Sequence, residues 1–394
     1  MDNNRLLILS GLILATLLLA GCGGQAAEPA AVAPTAAEPT AVPPTDISPT
    51  ATPVPPTATP VPPTETPEPT ATAIPIAPSA RGYVTLAYDT ESDLMVLFGG
   101  QTGSCCDASS FSGTTWIYDV TAYAWSKQQP AVSPSARAAA AMAYDSESDR
   151  VVLFGGADHT SLELNDTWAY DYNTDTWEQL ASGPPDHLGP RLAYDAESDQ
   201  VILFGGFDFP SASPRDDTWA YDYNSDTWTE MKPATSPTGR NYQGMTYDAE
   251  SDRVLVWGGT GTALKPVDGS VWAYDYNSNT WEKMPLTEPV PGPRDYPVMV
   301  YDAESDRTIL YGGFPVVGDE TWAYTWAYDY NSNTWTQMNP AVSPPKLSRH
   351  AMAYSDDADR VILFGGQEGI TEFYYTRETW SYDFNSDTWK KVWP

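Results

Sequence analysis

The sequence predicts an all-β fold of four-stranded antiparallel blades packed radially, and three observations carry it. One pattern recurs six times: an Arg opener, a Tyr followed by Asp or Ser, a diglycine, and two Trp nine residues apart. Each copy breaks into four short apolar or aromatic runs separated by polar turns, and no copy carries a helical period. One four-stranded sheet cannot bury both its faces alone, so six must stack on one another and close.

The openers are Arg81, Arg137, Arg191, Arg240, Arg294 and Arg349, spaced 49 to 56 residues apart. The second copy shows the elements in order. Ala138 to Ala141 are small and fit strand a, the innermost, where bulk would collide near the axis. The Asp-Ser-Glu-Ser-Asp stretch after Tyr144 is a tight polar turn. Val151 to Phe154 is a continuous apolar run, as expected of a strand b covered on both faces. Gly155-Gly156 closes it. After a variable stretch, Thr167 to Tyr172 is β-branched and aromatic and reads as strand c. The Asn-Thr-Asp turn then leads into strand d at Trp177. The Trp and Tyr bodies suit wedges between sheets that splay with radius.

The diglycine, the Asn-Asp-x-Trp-x-Tyr-Asp run from Asn165 to Asp171 and the second Trp nine residues after the first resemble kelch repeats. The resemblance spans residues 81–394 and implies a six-bladed β-propeller with blades starting near 81, 137, 191, 240, 294 and 349. Each blade takes its four strands from one stretch of chain, so closure is expected to rest on packing between the first and last blades, unless Ile74 to Ala77 adds an outer strand. Fold alone implies no activity.

The first 79 residues stand apart. Met1 to Gly21 reads as a signal peptide, with Arg5 before the apolar run Leu6 to Leu19. Leu19-Ala20-Gly21-Cys22 resembles a bacterial lipobox, which implies cleavage before Cys22 and a palmitate-bearing, lipid-anchored terminus at the cell envelope. The Pro, Thr, Ala and Val tract that follows, up to residue 79, cannot build a core and is expected to be a disordered, extended tether.

A formal charge of −32 opposes nucleic acid as a partner. The a–b and c–d turns share one face and carry most of the carboxylates, including Asp145, Glu147 and Asp149. Weak calcium binding is conceivable there, although Asp171-x-Asn173-x-Asp175 lacks the Gly and Glu of a calcium loop. At the opposite face the six opening Arg are expected to ring one mouth, either drawing in an anion or locking blades together.

The b–c loops break the repeat, and loops on a rigid scaffold are where binding usually lives. Phe207, Phe209, Phe373, Tyr374 and Tyr375 are aromatics the blade pattern does not require. Galactose-oxidase-like propellers carry copper-radical chemistry, but His159, His187 and His350 are scattered, and Cys105 and Cys106 sit in another blade. The expected function is therefore non-catalytic binding of a protein or glycan by a monomer, through the Arg and aromatic residues of the loop face, with no cofactor and no catalytic residues. The alternatives are a carbohydrate-active enzyme, oxidase-like or similar to the kelch-type sialic acid epimerases, and a passive acidic spacer tuned by calcium.

Overall fold

The computed structural model describes residues 76–103, 107–185, 187–262, 267, 269–315, 323–369 and 374–393. The signal-like segment, Cys22, the tract through residue 75, Cys105, Cys106 and Phe373 lie outside them.

Among the described residues there are six four-stranded antiparallel sheets, each built in the order a-b-c-d from one stretch of chain. In the first, strand a is Thr85–Asp89, b is Leu94–Phe98, c is Thr115–Asp119 and d is Ala124–Lys127. The other five a strands are Ala141–Asp145, Arg191–Asp195, Gly244–Asp248, Val298–Asp302 and Ala351–Ser355. Each a strand touches the next, and the last touches the first, so the a strands line the axis of a closed ring. Strand b behaves as its apolar run predicts: Val152, Leu153 and Phe154 have no solvent exposure.

The turns explain much of the repeated sequence. In every a–b turn the strand-a Tyr hydroxyl donates to an Asp five residues on, as in Tyr88 to Asp93 at 2.7 Å and Tyr194 to Asp199 at 2.9 Å. That Asp is left-handed, with φ near 53° at Asp93, Asp149, Asp199, Asp252 and Asp306, a conformation Asp and Asn tolerate best among residues with a Cβ. Strand-c Tyr residues repeat the device, for example Tyr221 to Asp226 at 2.8 Å and Tyr328 to Asn333 at 2.8 Å. The acidic and Asn-rich turns are thus capped hairpins, as turn chemistry predicts.

Two contacts weld each sheet to its neighbour. The strand-d Trp indole donates to the Thr just before the strand-c Trp of the preceding sheet: Trp177 to Thr115 at 2.9 Å, Trp228 to Thr167 at 3.0 Å, Trp281 to Thr218 at 3.0 Å and Trp389 to Thr325 at 2.8 Å. Trp125 donates to Thr379 at 3.0 Å and so joins first sheet to last. The fourth sheet has Val271 in the acceptor's place, and there Trp335 packs on Trp257, whose ring replaces the Phe or Tyr of the other b strands, with ring centroids 5.8 Å apart.

The second weld is the diglycine. Its second N–H donates to the carbonyl of the residue that opens the next sheet: Gly100 to Arg137 at 2.8 Å, Gly206 to Arg240 at 2.8 Å, Gly313 to Leu347 at 2.9 Å and, across the closure, Gly366 to Arg81 at 2.8 Å. The first Gly has positive φ, and a Cβ on Gly205 would lie 2.4 Å from the Arg240 carbonyl oxygen. Any side chain here would push two sheets apart, which is why the diglycine is invariant across the six repeats.

This weld also corrects the register. The residue that receives it, eight before the last residue of strand a, is Arg81, Arg137, Arg240 and Arg294, but Leu347 in the sixth sheet. The same count gives His187 in the third. Arg191 and Arg349 lie four and two residues past the true openers, so the third and sixth repeats begin near 187 and 347 rather than 191 and 349. The opening segment is also not yet strand a. Ala139 turns left-handed at φ 57°, and strand a starts only at Ala141.

Candidate functional site

The six Arg do not form one ring of cations. Arg81, Arg137, Arg240 and Arg294 are at most 3% exposed. Each donates through one terminal nitrogen to the first diglycine carbonyl of its own sheet: to Gly99 at 2.8 Å, Gly155 at 3.0 Å, Gly258 at 3.2 Å and Gly312 at 3.3 Å. Arg137 adds a fork onto the two Asp166 oxygens at 2.6 and 2.7 Å, which holds that carboxyl below its ordinary pKa despite its burial. His187 fills the same slot, its ring nitrogens 2.5 Å from the Pro185 carbonyl and 3.1 Å from Asp217. These side chains lock a sheet's opening to its own strand b.

The mouth is built by the residue two past each opener: Tyr83, Ala139, Gly189, Tyr242, Tyr296 and Arg349, all left-handed, with φ between 53° and 64°. Backbone bonds run between these positions, from Tyr83 N–H to Arg349 O at 2.8 Å, Ala139 N–H to Tyr83 O at 2.9 Å and Tyr242 N–H to Gly189 O at 2.9 Å. The turn throws the three Tyr rings together: Tyr242 stacks on Tyr296 at 4.4 Å, and Tyr83 lies 5.8 and 5.7 Å from the two. The Arg349 guanidinium sits 4.7 Å from the Tyr83 ring, 4.9 Å from Tyr296 and 5.1 Å from Phe314, and also bonds Gln367. Burial raises the Tyr83 and Tyr242 hydroxyls well above their usual range, and the nearby Arg349 charge pulls both the other way.

The loop aromatics extend this floor. Phe207 and Phe209 meet edge to face at 5.1 Å and pack with Tyr242 and Leu188 in one cluster, and the Glu163 carboxylate accepts from the Phe209 N–H at 2.6 Å. Tyr375 lies over Gly82, where a Cβ would be 2.5 Å from its ring. Tyr374, at 67% exposure, projects into solvent. Phe207 and Phe209 in a loop of the third repeat and Tyr375 in a loop of the sixth are thus joined through the Tyr83, Tyr242 and Tyr296 rings. Sequence reasoning missed those three because they sit where the repeat has no fixed residue. Counting back from the strand-a Asp instead of from the nearest Arg would have put them in one register position.

Around the floor, the two sides of the mouth differ. One side is apolar, with Ala138 bridged to Ala157 and Leu188 to Phe207. The other pairs Asn241 with Thr260, Asp295 with Phe314 and Ser348 with Gln367. Buried there without partners are the Asn241 and Ser348 side-chain oxygens and one Asp295 oxygen. Burial pushes Asp295 up to about 7, with Thr260 and Arg349 opposing.

A family model for the KLHDC2/KLHL20/DRC7 kelch-repeats domain matches residues 191–394, and one for the attractin/LZTR1 β-propeller matches residues 77–263. The chain belongs to the kelch-repeat β-propeller family. Kelch propellers commonly bind proteins. Over 174 residues the chain is 24% identical to the flagellar outer arm dynein alpha chain of Chlamydomonas reinhardtii, covering 41% of this chain and 4% of that protein. The three His of the propeller occupy separate places: His159 in a loop of the second sheet, His187 as the third opener, and His350 buried in the sixth sheet against Tyr311.

Proposed function

We propose that this kelch propeller is a non-catalytic module that binds a protein through its loop-face mouth, held at the cell envelope by a lipid on Cys22. The observation that supports it most is the joined aromatic floor, since desolvated aromatics and Arg at the centre of a patch supply most of the energy of protein recognition. The asymmetry of the rim adds a chemistry. An extended segment with one apolar side chain would seat it against Phe207 and Phe209. Its backbone groups would run along the polar side of the rim near Asn241, Asp295 and Ser348. A glycan is the second reading, favoured by the exposed Tyr374 ring as a stacking surface. An oxidase- or epimerase-like activity has less support, because His187 is committed to Asp217 and Pro185.

The test is retention of envelope-extract proteins on the immobilised protein, run beside a glycan array. Tyr242→Ala and Phe209→Ala should each abolish retention of the same band while the thermal melt stays cooperative. Retention unchanged in both variants would refute the mouth as the binding surface. Metabolic labelling with palmitate, present in the wild type and absent in Cys22→Ala, checks the anchor.

A further inference from the structure

Beneath the aromatic floor the a strands enclose an axial cavity of about 90 Å³. Apolar side chains line much of it, among them Leu86, Met142, Leu192, Met245, Met299 and Met352, while polar atoms make up the larger part of its accessible surface. One residue breaks this lining. At the position where the other sheets carry Thr85, Ala141, Gly244, Val298 and Ala351, the third carries Arg191. It is the one lining side chain with a fixed charge.

That guanidinium is poorly paired. It offers five N–H donors, and its hydrogen bond among the described residues is a 3.3 Å contact to the carbonyl of its own neighbour, Pro190. Its other contact is the face of Tyr242, 6.0 Å away. Among the described residues no carboxylate lies within ion-pair distance. The inner-strand carboxylate of its own sheet, Asp195, is four residues further along, about 13 Å at the rise of a strand. Asp295 acts on Arg349 rather than on Arg191. A second unpartnered group borders the same cavity: His350 is 3% exposed, and neither ring nitrogen has a hydrogen-bond partner. Burial and the Arg191 charge lower His350 to about 3, so its ring is neutral at physiological pH and keeps one N–H to donate.

We propose that the axial cavity is a binding site for a small monovalent anion of the size of chloride, held by Arg191 with His350 beside it. A partly buried cation with one weak hydrogen bond and no counter-charge is left under-compensated, and an anion drawn from solution supplies the missing partner. Size sets the ligand class. The cavity has room for about three waters at ~30 Å³ each, enough for one such ion with a water. It falls well short of the roughly 300 Å³ or more of pockets that take drug-sized ligands. The site lies on the axis beneath the mouth, so it is independent of what the loop face recognises.

The experiment is a thermal melt of the purified protein in sodium chloride and in sodium gluconate at matched ionic strength. Chloride is expected to raise Tm along a saturating curve and gluconate is not. At chloride tenfold above its dissociation constant the folded-to-unfolded ratio rises about elevenfold. Arg191→Met should erase the difference between the salts, and Arg191→Lys should retain part of it. Superimposable curves in the two salts, or a chloride response that survives Arg191→Met, would mean an adventitious ion only and overturn the proposal. Should Arg191→Met fail to fold, crystals of the wild type grown in bromide decide the matter. An anomalous peak at Arg191 upholds the site, and a cavity holding water alone removes it.

Discussion

Replacing Thr379 with Val tests the weld that closes the ring. The side chain keeps its shape and volume, but the buried Trp125 indole loses its acceptor at 3.0 Å. Trp125 is 5% exposed and Thr379 is fully buried, so water cannot take the acceptor's place. A buried donor left unpaired costs about 1–3 kcal/mol, which in a domain of this size lowers Tm by roughly 2–6 °C. Removing the indole as well should recover part of that loss, because no orphaned donor remains. The measurement is a double-mutant cycle of Trp125→Phe and Thr379→Val, read by urea unfolding with fluorescence and circular dichroism tracked together. A coupling energy of about 1 kcal/mol is expected, and the same cycle at Trp177 and Thr115 should give a similar value. Effects that add within ~0.5 kcal/mol would show that no such bond closes the propeller.

Four further outcomes follow from the same geometry. Arg137→Met strands the partly buried Asp166 carboxylate and should cost about 3–5 kcal/mol by denaturant titration, while Arg137→Met with Asp166→Leu costs less. Because Asp166 has its pKa lowered on folding, its stabilisation is present above the ordinary carboxylate pKa and disappears as pH falls through its folded value. The turn carboxylates behave oppositely: burial raises Asp89, Asp145, Asp195, Asp248 and Asp302, so the folded state takes up protons first. The Tm of the wild type should therefore rise on mild acidification from neutral pH before it falls in stronger acid. For Asp295 the penalty of burying its charge accumulates upward from the unfolded carboxylate pKa of about 3.9 and levels off above about 7. The stability advantage of Asp295→Asn should trace that curve, and a pH-independent difference would place the carboxyl in water. Gly189→Ala puts a Cβ 2.4 Å from the Tyr242 ring on a backbone with φ 64°, so it should destabilise the fold and weaken partner binding together.

What was legible in the sequence is what repeats for a physical reason. The Trp indoles, the diglycine and the Asp and Asn turns recur because every sheet must be capped and welded in the same way, and periodicity alone exposes them. The openers were misread where another residue does the opener's work. His187 donates to Asp217 as Arg137 does to Asp166, and Leu347 keeps only the backbone part of the role. In both sheets an unrelated Arg stood close enough to be mistaken for the missing one. The aromatic floor was hidden for the opposite reason. The position that holds Tyr83, Tyr242 and Tyr296 is defined by a backbone conformation rather than by a residue type, and Ala139, Gly189 and Arg349 in the same position conceal it. The loop aromatics Phe207, Phe209 and Tyr375 could be picked out as unpatterned, but their link through that floor exists only once the ring closes.

The left-handed positions around the mouth have a consequence for how such a surface changes over time. Their geometry is imposed by backbone bonds from sheet to sheet, and one ring accommodates Tyr, Ala, Gly and Arg alike. Apart from Gly189, where a Cβ would strike the Tyr242 ring, the identity of the side chain is therefore largely uncoupled from the folding of the sheet that carries it. The mouth works as a set of interchangeable slots on a fixed hoop. Recognition can be rewritten one slot at a time while the hoop, and the welds that hold it, stay as they are.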